Sequence, residues 1–255
     1  MSDCYFVPDW PDLPAHIGAI STLRQGGVSI APYGDGSGGA SGFNLATHVG
    51  DRLSDVLANR QVLNHYLPAA PQWLTQVHGA QVLDFGKNQP ELVADACLTT
   101  LPGVVCAVQT ADCLPVLFCD GKTNAVAAAH AGWRGLAQGV LETTLLQLHS
   151  AGAELGNILV WLGPAIGPLE FEVGLEVREQ FVRADKCAEA AFIASEKNPG
   201  KFYADIYQLA RLRLQRAGVR HISGGGFCTV RQRDKFFSYR RDGTTGRMAS
   251  LIWIK

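Results

Sequence analysis

The sequence predicts an α/β protein whose strands form mixed β-sheets, and three observations support this class. First, its 255 residues are 47% hydrophobic and 18% charged, which provides a large core and excludes a disordered chain. Second, short apolar runs bounded by Gly, Pro and Asp predict β-strands. Third, helical patterns separate only some of these runs, so a simple parallel array is not expected. No internal repeat or long linker divides the chain, and we predict a single domain over residues 1–255.

Four helices are predicted from apolar spacing and from the residues at their ends. The first covers residues 54–67, where Ser54 is a favourable N-cap and Pro68 prevents continuation. The second covers 133–150, where leucines and valines recur at helical spacing. The other two helices are predicted at 175–182 and 205–217.

Short apolar runs predict the strands, most of them in the middle of the chain. These runs are bounded by breakers and are too short for stable helices, which favours buried strands. The predicted strands cover residues 73–77, 103–108, 115–118, 124–130, 158–162, 219–223, 227–230 and 250–254.

Charge and targeting signals exclude several classes of function. Lys and Arg number 22 against 23 Asp and Glu, so the net charge of −1 gives no long-range positive field for nucleic acid. The acidic N-terminus does not resemble a secretory signal, and no apolar run approaches the ~18 residues of a membrane helix. The seven cysteines form no CxxC pair, which favours free thiols in a reducing compartment. We expect a cytoplasmic protein that binds neither nucleic acid nor membranes, and its oligomeric state stays open.

Three short segments combine reactive side chains with breakers next to apolar runs. Their reactive side chains are His78, Cys113 and His130, which we expect at strand ends, where α/β proteins commonly place functional groups. Two imidazoles and one thiolate match the ligands of zinc or copper and would leave one coordination position open. Cys113 and His130 also match a nucleophile–base pair, whereas a buried thiol and hydrogen-bonded turn histidines would need no chemistry. The separations along the chain are too long to decide among these interpretations.

These segments and several further motifs resemble one protein family. QVHG at 76–79, TADCLP at 110–115 and HAGWRG at 130–135 occur in the order typical of the YfiH family. This family is also called the laccase-domain or multicopper polyphenol oxidase family, and it includes bacterial purine nucleoside phosphorylases and peptidoglycan editing factors. Further matches from about residue 20 to the C-terminus include TLRQGGVS at 22–29 and TGR at 245–247.

The resemblance implies a fold and an activity. The fold is YfiH-like, also described as cytotoxic necrotizing factor/YfiH-like, with mixed sheets in a layered αββα arrangement. His78, Cys113 and His130 are implied to be both the catalytic residues and the ligands of one metal ion, zinc with copper as the alternative. The implied activities are phosphorolysis of adenosine, inosine, guanosine and methylthioadenosine, and deamination of adenosine. A metal-activated water attacking purine C6 would account for the deamination.

Phosphorolysis also requires residues that bind phosphate and purine. Trp133 or Phe236 could stack on a purine ring. Asp95, preferred to Asp112, is expected in the pocket, where a carboxylate can orient a ligand histidine. Guanidinium groups bind oxyanions through paired hydrogen bonds, and the arginines inside family motifs are therefore the phosphate candidates. These arginines are Arg24, Arg134, Arg240 and Arg241.

A Gly/Ser-rich segment at 34–42 departs from the family pattern, in which this connection is usually shorter. It contains a formal GxGxxG, but no strand precedes it and no helical pattern follows it, so a surface loop is favoured over a dinucleotide site. Asn44 and His48 follow directly and complete the predicted substrate-binding residues. We therefore expect the loop to border the substrate entrance.

Three other functions remain open at this point. A copper-dependent, laccase-like polyphenol oxidase is one, although seven histidines without a His-x-His pair argue against a multicopper cluster. A hydrolase that uses Cys113 and His130 directly, acting in peptidoglycan precursor editing, is the second. A non-catalytic metal- or nucleotide-binding protein is the third.

Overall fold

Two β-sheets packed face to face form the middle of the fold in a computed structural model, which describes residues 4–36 and 41–255. Part of the Gly/Ser-rich loop, residues 37–40, lies outside the described residues. The strands are β1 (Tyr5–Phe6), β2 (Ile17–Thr22), β3 (Gln25–Ser29), β4 (Val82–Asp84), β5 (Ala96–Thr99), β6 (Val105–Thr110), β7 (Leu114–Asp120), β8 (Val126–Ala131), β9 (Ile158–Leu162), β10 (Glu172–Gly174), β11 (Phe192–Ala194), β12 (Lys201–Ala204), β13 (His221–Gly224) and β14 (Met248–Ile254). The helices are α1 (Leu53–Asn64), α2 (Trp133–Gln138), α3 (Val140–Ser150), α4 (Leu175–Ala184), α5 (Ile206–Arg216) and α6 (Tyr239–Asp242).

The larger sheet is mixed, as the sequence predicts. Its six strands have the order β13-β9-β7-β8-β5-β4, with parallel pairs at the two edges and antiparallel pairs between them. The second sheet has four antiparallel strands in the order β1-β2-β14-β6. A third, small antiparallel sheet has the order β10-β12-β11, and β3 lies outside these three sheets, with isolated bridges from Gln25 and Ser29 to Gly42.

Apolar side chains join these sheets and the helices into four layers. Leu117 and Trp161 of the larger sheet pack with Ile252 of the four-stranded sheet, in the space between these two sheets. The opposite face of the larger sheet is covered by α3, α4 and α5. The outer face of the four-stranded sheet packs against Leu63 of α1. The predicted α/β class with a layered αββα arrangement is therefore confirmed.

Central strands were readable in the sequence because both of their faces are covered. Every residue of β7 and β8 is buried, and such strands appear as nearly continuous apolar runs. The predicted strand 158–162 agrees with β9 at both ends. None of the helices in the described ranges is long and apolar enough to cross a membrane.

Two predicted helix boundaries are wrong for local reasons. The single helix predicted at 133–150 is divided into α2 and α3 at Gly139, whose left-handed φ of +95° ends the first helix. The residue before α1 is Arg52, which makes no side-chain cap, and Ser54 lies inside the helix.

Two predicted strands are also wrong, and some strands were missed. Residues 73–77 contribute only an isolated bridge from Thr75 to Val93, and 227–230 form no strand. The missed strands include β2, whose small and polar residues lack a clear alternation although all six are buried. They also include the edge strand β4 and the three strands of the small sheet, each of which is only three or four residues long.

Packing between the larger sheet and its helices predicts a measurable stability difference. Phe118 of β7 is fully buried in this layer. Phe118→Ala should lower the free energy of unfolding by about 3–5 kcal/mol, because a large cavity replaces the ring. Leu146→Ala in α3 is the control: its side chain is 64% exposed, and its effect should stay within about 0.5 kcal/mol. Denaturant unfolding measures both, and equal losses would contradict this account of the core.

Candidate functional site

The structure brings the three predicted metal-binding side chains together at one end of the central strands β7 and β8 of the larger sheet. The ligand atoms of His78, Cys113 and His130 all lie within 4.8 Å of one another. Cys113 Sγ is 3.8 Å from His78 Nε2, and the two imidazole rings are 4.8 Å apart between centroids. His78 is exposed, Cys113 is half-buried and His130 is buried, so the group reaches from the core to solvent. This convergence supports both the metal site and the Cys/His pair as hypotheses.

Strand pairing accounts for the approach of Cys113 and His130. Cys113 immediately precedes β7, and His130 of β8 stands opposite Pro115 in the antiparallel pairing of these strands. Gly132 leaves room for the side chains of Cys113 and His78, since a Cβ there would lie 2.9 Å from Cys113 Sγ and 3.0 Å from His78 Cδ2. His78 does not end a strand as predicted but lies in a bend with a positive φ of 59°.

Asp95 holds the two histidines in place. Its buried carboxylate accepts hydrogen bonds from His130 Nδ1 at 2.7 Å and from the backbone N–H groups of Val77, His78 and Gly79 at 3.2, 2.9 and 2.6 Å. Although burial opposes it, hydrogen bonding to His130 and Gly79 lowers the pKa of Asp95. The sequence placed Asp95 among substrate-binding residues, but its complete burial puts it behind the histidines, where it orients them.

The electrostatic surroundings favour the thiolate of Cys113. Burial alone would raise the pKa of Cys113, but the charge of His130 and hydrogen bonds from both histidines lower it to about 6. Burial would likewise lower the pKa of His130, whereas Cys113 and Asp95 raise it. The thiolate is the form of cysteine that binds metals and attacks electrophiles.

This donor set fits a metal ion of the zinc or copper type. The hydrogen bond from His130 Nδ1 to Asp95 leaves Nε2 as the atom that can bind a metal ion, which is the usual arrangement of a metal-binding histidine. Three protein ligands leave a coordination position for another molecule. Within residues 4–36 and 41–255, no other group of three His, Cys, Asp or Glu residues could hold an ion.

Two adjoining cavities open onto this group. They share His78, Ala111, Cys113 and Tyr239 as lining residues. The larger cavity, the polar lobe, has a volume of about 430 Å³ and is also lined by His48, Gln76, Gln109, Thr110, His130 and Arg247. The smaller cavity, the aromatic lobe, has a volume of about 290 Å³ and is also lined by Asp112, Trp133, Arg134, Ile166, Phe171, Ile206 and Arg240.

The arginines predicted to bind phosphate have two different positions. Arg134 and Arg240 line the aromatic lobe. Arg24 is buried and donates hydrogen bonds to Gly34 O and to Arg233 O, so its guanidinium serves the fold. Arg241 likewise donates to the carbonyls of residues 229, 230 and 236 and pairs with Asp242. Neither Arg24 nor Arg241 lines either lobe. Backbone carbonyls accept hydrogen bonds from both guanidinium groups.

The remaining predicted residues also separate into lining and structural positions. His48 lines the polar lobe and Trp133 the aromatic lobe, whereas Phe236 is buried in a core cluster. Asn44 is buried, and its amide bonds to Ala46 O and Asp51.

Asp112 braces the turn before Cys113. Its carboxylate accepts hydrogen bonds from the Thr229 hydroxyl and from the Arg240 backbone N–H, while its own φ is +90°. Of the two aspartates that the sequence offers for orienting a ligand histidine, the preferred Asp95 contacts His130, and Asp112 does not.

Several lining residues were not predicted. Arg247 was visible only as part of the TGR match, and nothing in the sequence separates it from Arg24 or Arg241. Tyr239 lies within a family match beside Arg240 but is not singled out there, and Phe171 carries no signal beyond its aromatic character.

Comparisons with known proteins agree on one family. A family model described as multi-copper polyphenol oxidoreductase laccase matches residues 18–255. Purine nucleoside phosphorylase PA4543 of Pseudomonas aeruginosa is 51% identical over 99% of both chains. Purine nucleoside phosphorylase YfiH of Escherichia coli is 52% identical over 97% of this chain and 98% of its own. Among solved structures, Neisseria meningitidis protein NMB0706 of the DUF152 family has a TM-score of 0.88 and 44% identity, with 99% of each chain covered.

Removal of the Asp95 charge tests its control of the histidines. Asp95→Asn replaces one acceptor oxygen by an NH₂ group that must face N–H donors, so both histidines lose their orientation. We expect the affinity for zinc to fall about 10- to 100-fold in a chelator-competition titration. The exposed Asp9→Asn makes the same chemical change elsewhere and should retain the original affinity. Equal affinities in both variants would contradict this role of Asp95.

Proposed function

The chain belongs to the multi-copper polyphenol oxidoreductase laccase family, also called the YfiH family, and on this basis we propose that it is a metal-dependent purine nucleoside enzyme. Its reactions are phosphorolysis of adenosine, inosine, guanosine and methylthioadenosine, and deamination of adenosine. One ion, zinc with copper as the alternative, is bound by His78, Cys113 and His130. The chain acts as a single domain in the cytoplasm, where its free cysteines stay reduced.

One observation carries this proposal: the His–Cys–His group lies where two arginine-containing cavities meet. Arg134, Arg240 and Arg247 line these cavities, and none of them forms an ion pair among the described residues. Guanidinium groups without an ion-pair partner suit an anionic substrate such as phosphate. Relatives across nearly the whole length are named purine nucleoside phosphorylases, which supports a purine nucleoside as the second substrate.

The residues can promote phosphorolysis by positioning and by charge stabilisation. A phosphate oxygen forms a bond to C1′ of the sugar, the bond from C1′ to the purine nitrogen breaks, and the purine leaves with the electron pair and takes up a proton. Trp133 and Phe171 provide apolar surface for the purine, and arginines hold the phosphate. A zinc ion bound at this site would polarise an oxygen ligand and make water a better nucleophile at neutral pH. In deamination, water adds to C6 and ammonia leaves.

The activated thiol favours a second candidate, a Cys/His hydrolase that acts on a peptidoglycan precursor. Cys113 has a lowered pKa and contacts His78, as a thiol nucleophile requires. Such a hydrolase keeps its activity when a chelator removes metal, whereas the nucleoside enzyme loses deamination. A laccase-like polyphenol oxidase needs several coppers, and metal analysis of the purified chain separates it from the single ion proposed here.

Product analysis with adenosine tests the proposed function. Without phosphate, we expect inosine and ammonia; with phosphate, adenine and a sugar phosphate should also form. Absence of both product sets from a zinc-loaded preparation would reject the proposal.

Replacement of Cys113 separates the two reactions. Cys113→Ala removes a ligand and a negative charge, so we expect loss of the ion and a fall in deamination of more than about 100-fold, at least as large as that of phosphorolysis. Rates are measured on metal-quantified preparations, and Cys187→Ala, which alters an exposed free cysteine, is the matched control. Undiminished deamination by metal-free Cys113→Ala would contradict the assigned role of the ligands.

A further inference from the structure

The two lobes of the cavity differ in chemistry, and this difference assigns the substrates to them. Resting on the proposed function, we infer that the polar lobe is the phosphate subsite, with Arg247 as its anion-binding residue, and that the aromatic lobe holds the purine. His78, Cys113 and Tyr239 line both lobes and therefore lie between them, where the sugar would join the two. This assignment differs from the one made from the sequence, which placed phosphate on four other arginines.

The guanidinium of Arg247 is held in place by hydrogen bonds that leave some of its N–H donors available. Nη1 donates hydrogen bonds to Thr245 O at 2.9 Å and Gly246 O at 3.1 Å, and the backbone N–H donates to Asn44 Oδ1 at 2.9 Å. Nε and Nη2 have no acceptor within the described residues. A fixed guanidinium with two free donor atoms matches the paired hydrogen bonds that phosphate oxygens accept.

The charge of Arg247 is partly buried and has no ion-pair partner in the described part of the chain. Burial lowers its pKa, and the charges of Cys113 and Asp112 oppose this shift only in part. Burial together with the charges of Arg247 and Arg60 also lowers the pKa of the neighbouring His48. An anion in the polar lobe would relieve this accumulation of positive charge.

Gln109 is a second polar residue that lines the polar lobe. Gln76 and Gln109 are joined by hydrogen bonds at 2.8 and 2.7 Å, and Gln109 Nε2 donates to Leu45 O. Within residues 4–36 and 41–255 the Oε1 of Gln109 accepts no hydrogen bond, and it is not a fully buried atom. Gln109 lines the polar lobe, so a sugar hydroxyl beside the phosphate can donate a hydrogen bond to this oxygen.

The aromatic lobe suits a flat apolar ring and not a phosphate. Trp133, Phe171, Ile166 and Ile206 contribute its apolar surface. Its two arginines are exposed at the rim, whereas Arg247 is half-buried. All three lie over aromatic rings, with Arg134 Cζ 4.4 Å from the Trp133 centroid, Arg240 Cζ 5.7 Å from that of Phe171 and Arg247 Cζ 5.9 Å from that of Tyr239, so exposure is what distinguishes them. Water screens the charges of the two exposed arginines more than it screens the charge of a half-buried guanidinium.

Substitution of Arg247 tests the assignment. Arg247→Met should weaken phosphate binding by about 30-fold or more. This is measured both as the KM for phosphate in phosphorolysis and as the affinity for inorganic phosphate by calorimetry. The KM for the nucleoside should stay within about twofold of the original value. Arg247→Lys keeps the charge but loses the paired donors, so its phosphate KM should be intermediate. Arg220→Met, which removes an exposed positive charge outside both lobes, is the control and should bind phosphate normally. Thermal unfolding and metal content confirm that each variant is intact, and Arg247→Lys carries the test if Arg247→Met fails to fold.

The complementary substitution is Phe171→Ala in the aromatic lobe. It should raise the nucleoside KM by about tenfold, as loss of a stacking surface does, and leave phosphate binding unchanged. An unchanged phosphate affinity in both Arg247 variants, or an Arg247 effect on the nucleoside KM alone, overturns the assignment. Wild-type protein that binds phosphate through Arg247 without turnover would keep the subsite and reject the proposed function, whereas absence of phosphate binding rejects the subsite.

Discussion

Four hydrogen bonds meet at the buried carboxylate of Asp95, and the geometry of the site depends on them. Three come from consecutive backbone N–H groups of the segment that carries His78, and the fourth comes from the His130 ring. A single side chain thus fixes a bend that no strand supports and selects the nitrogen that His130 presents to the cavity. Without this carboxylate, His78 would be held at a positive φ by little else, and the distance between the two imidazoles would no longer be set.

The layers of the fold bring the other parts of the site to this point. Pairing of β7 with β8 sets Cys113 beside His130, and the bonds from Asp112 to Thr229 and Arg240 attach the chain near α6 to the same turn. The lining residues of both lobes therefore come from segments far apart in sequence. The ends of the central strands β7 and β8 support the metal-binding residues. Arginines and aromatic rings from the segments that connect the strands determine what can bind.

The core of this architecture is written in local patterns, but the substrate contacts are not. Central strands such as β9 were predicted because burial on both faces demands continuous apolar residues. The reactive types of His78 and Cys113 were equally visible, and family motifs connected them. In contrast, Arg24 and Arg247 have the same chemistry and both lie within motifs; only the folded chain shows that carbonyl groups occupy one guanidinium and leave donors of the other free. The division at Gly139 was hidden for a similar reason, since helical spacing continues across it.

The position of β14 in the four-stranded sheet has a consequence for biosynthesis. This strand lies between β2 and β6, so those two strands are joined only by a segment that follows both of them in the chain. During translation, β2 and β6 leave the ribosome well before their shared neighbour and expose unpaired edges in the meantime. The nascent protein therefore passes through an interval in which association between chains competes with native sheet formation.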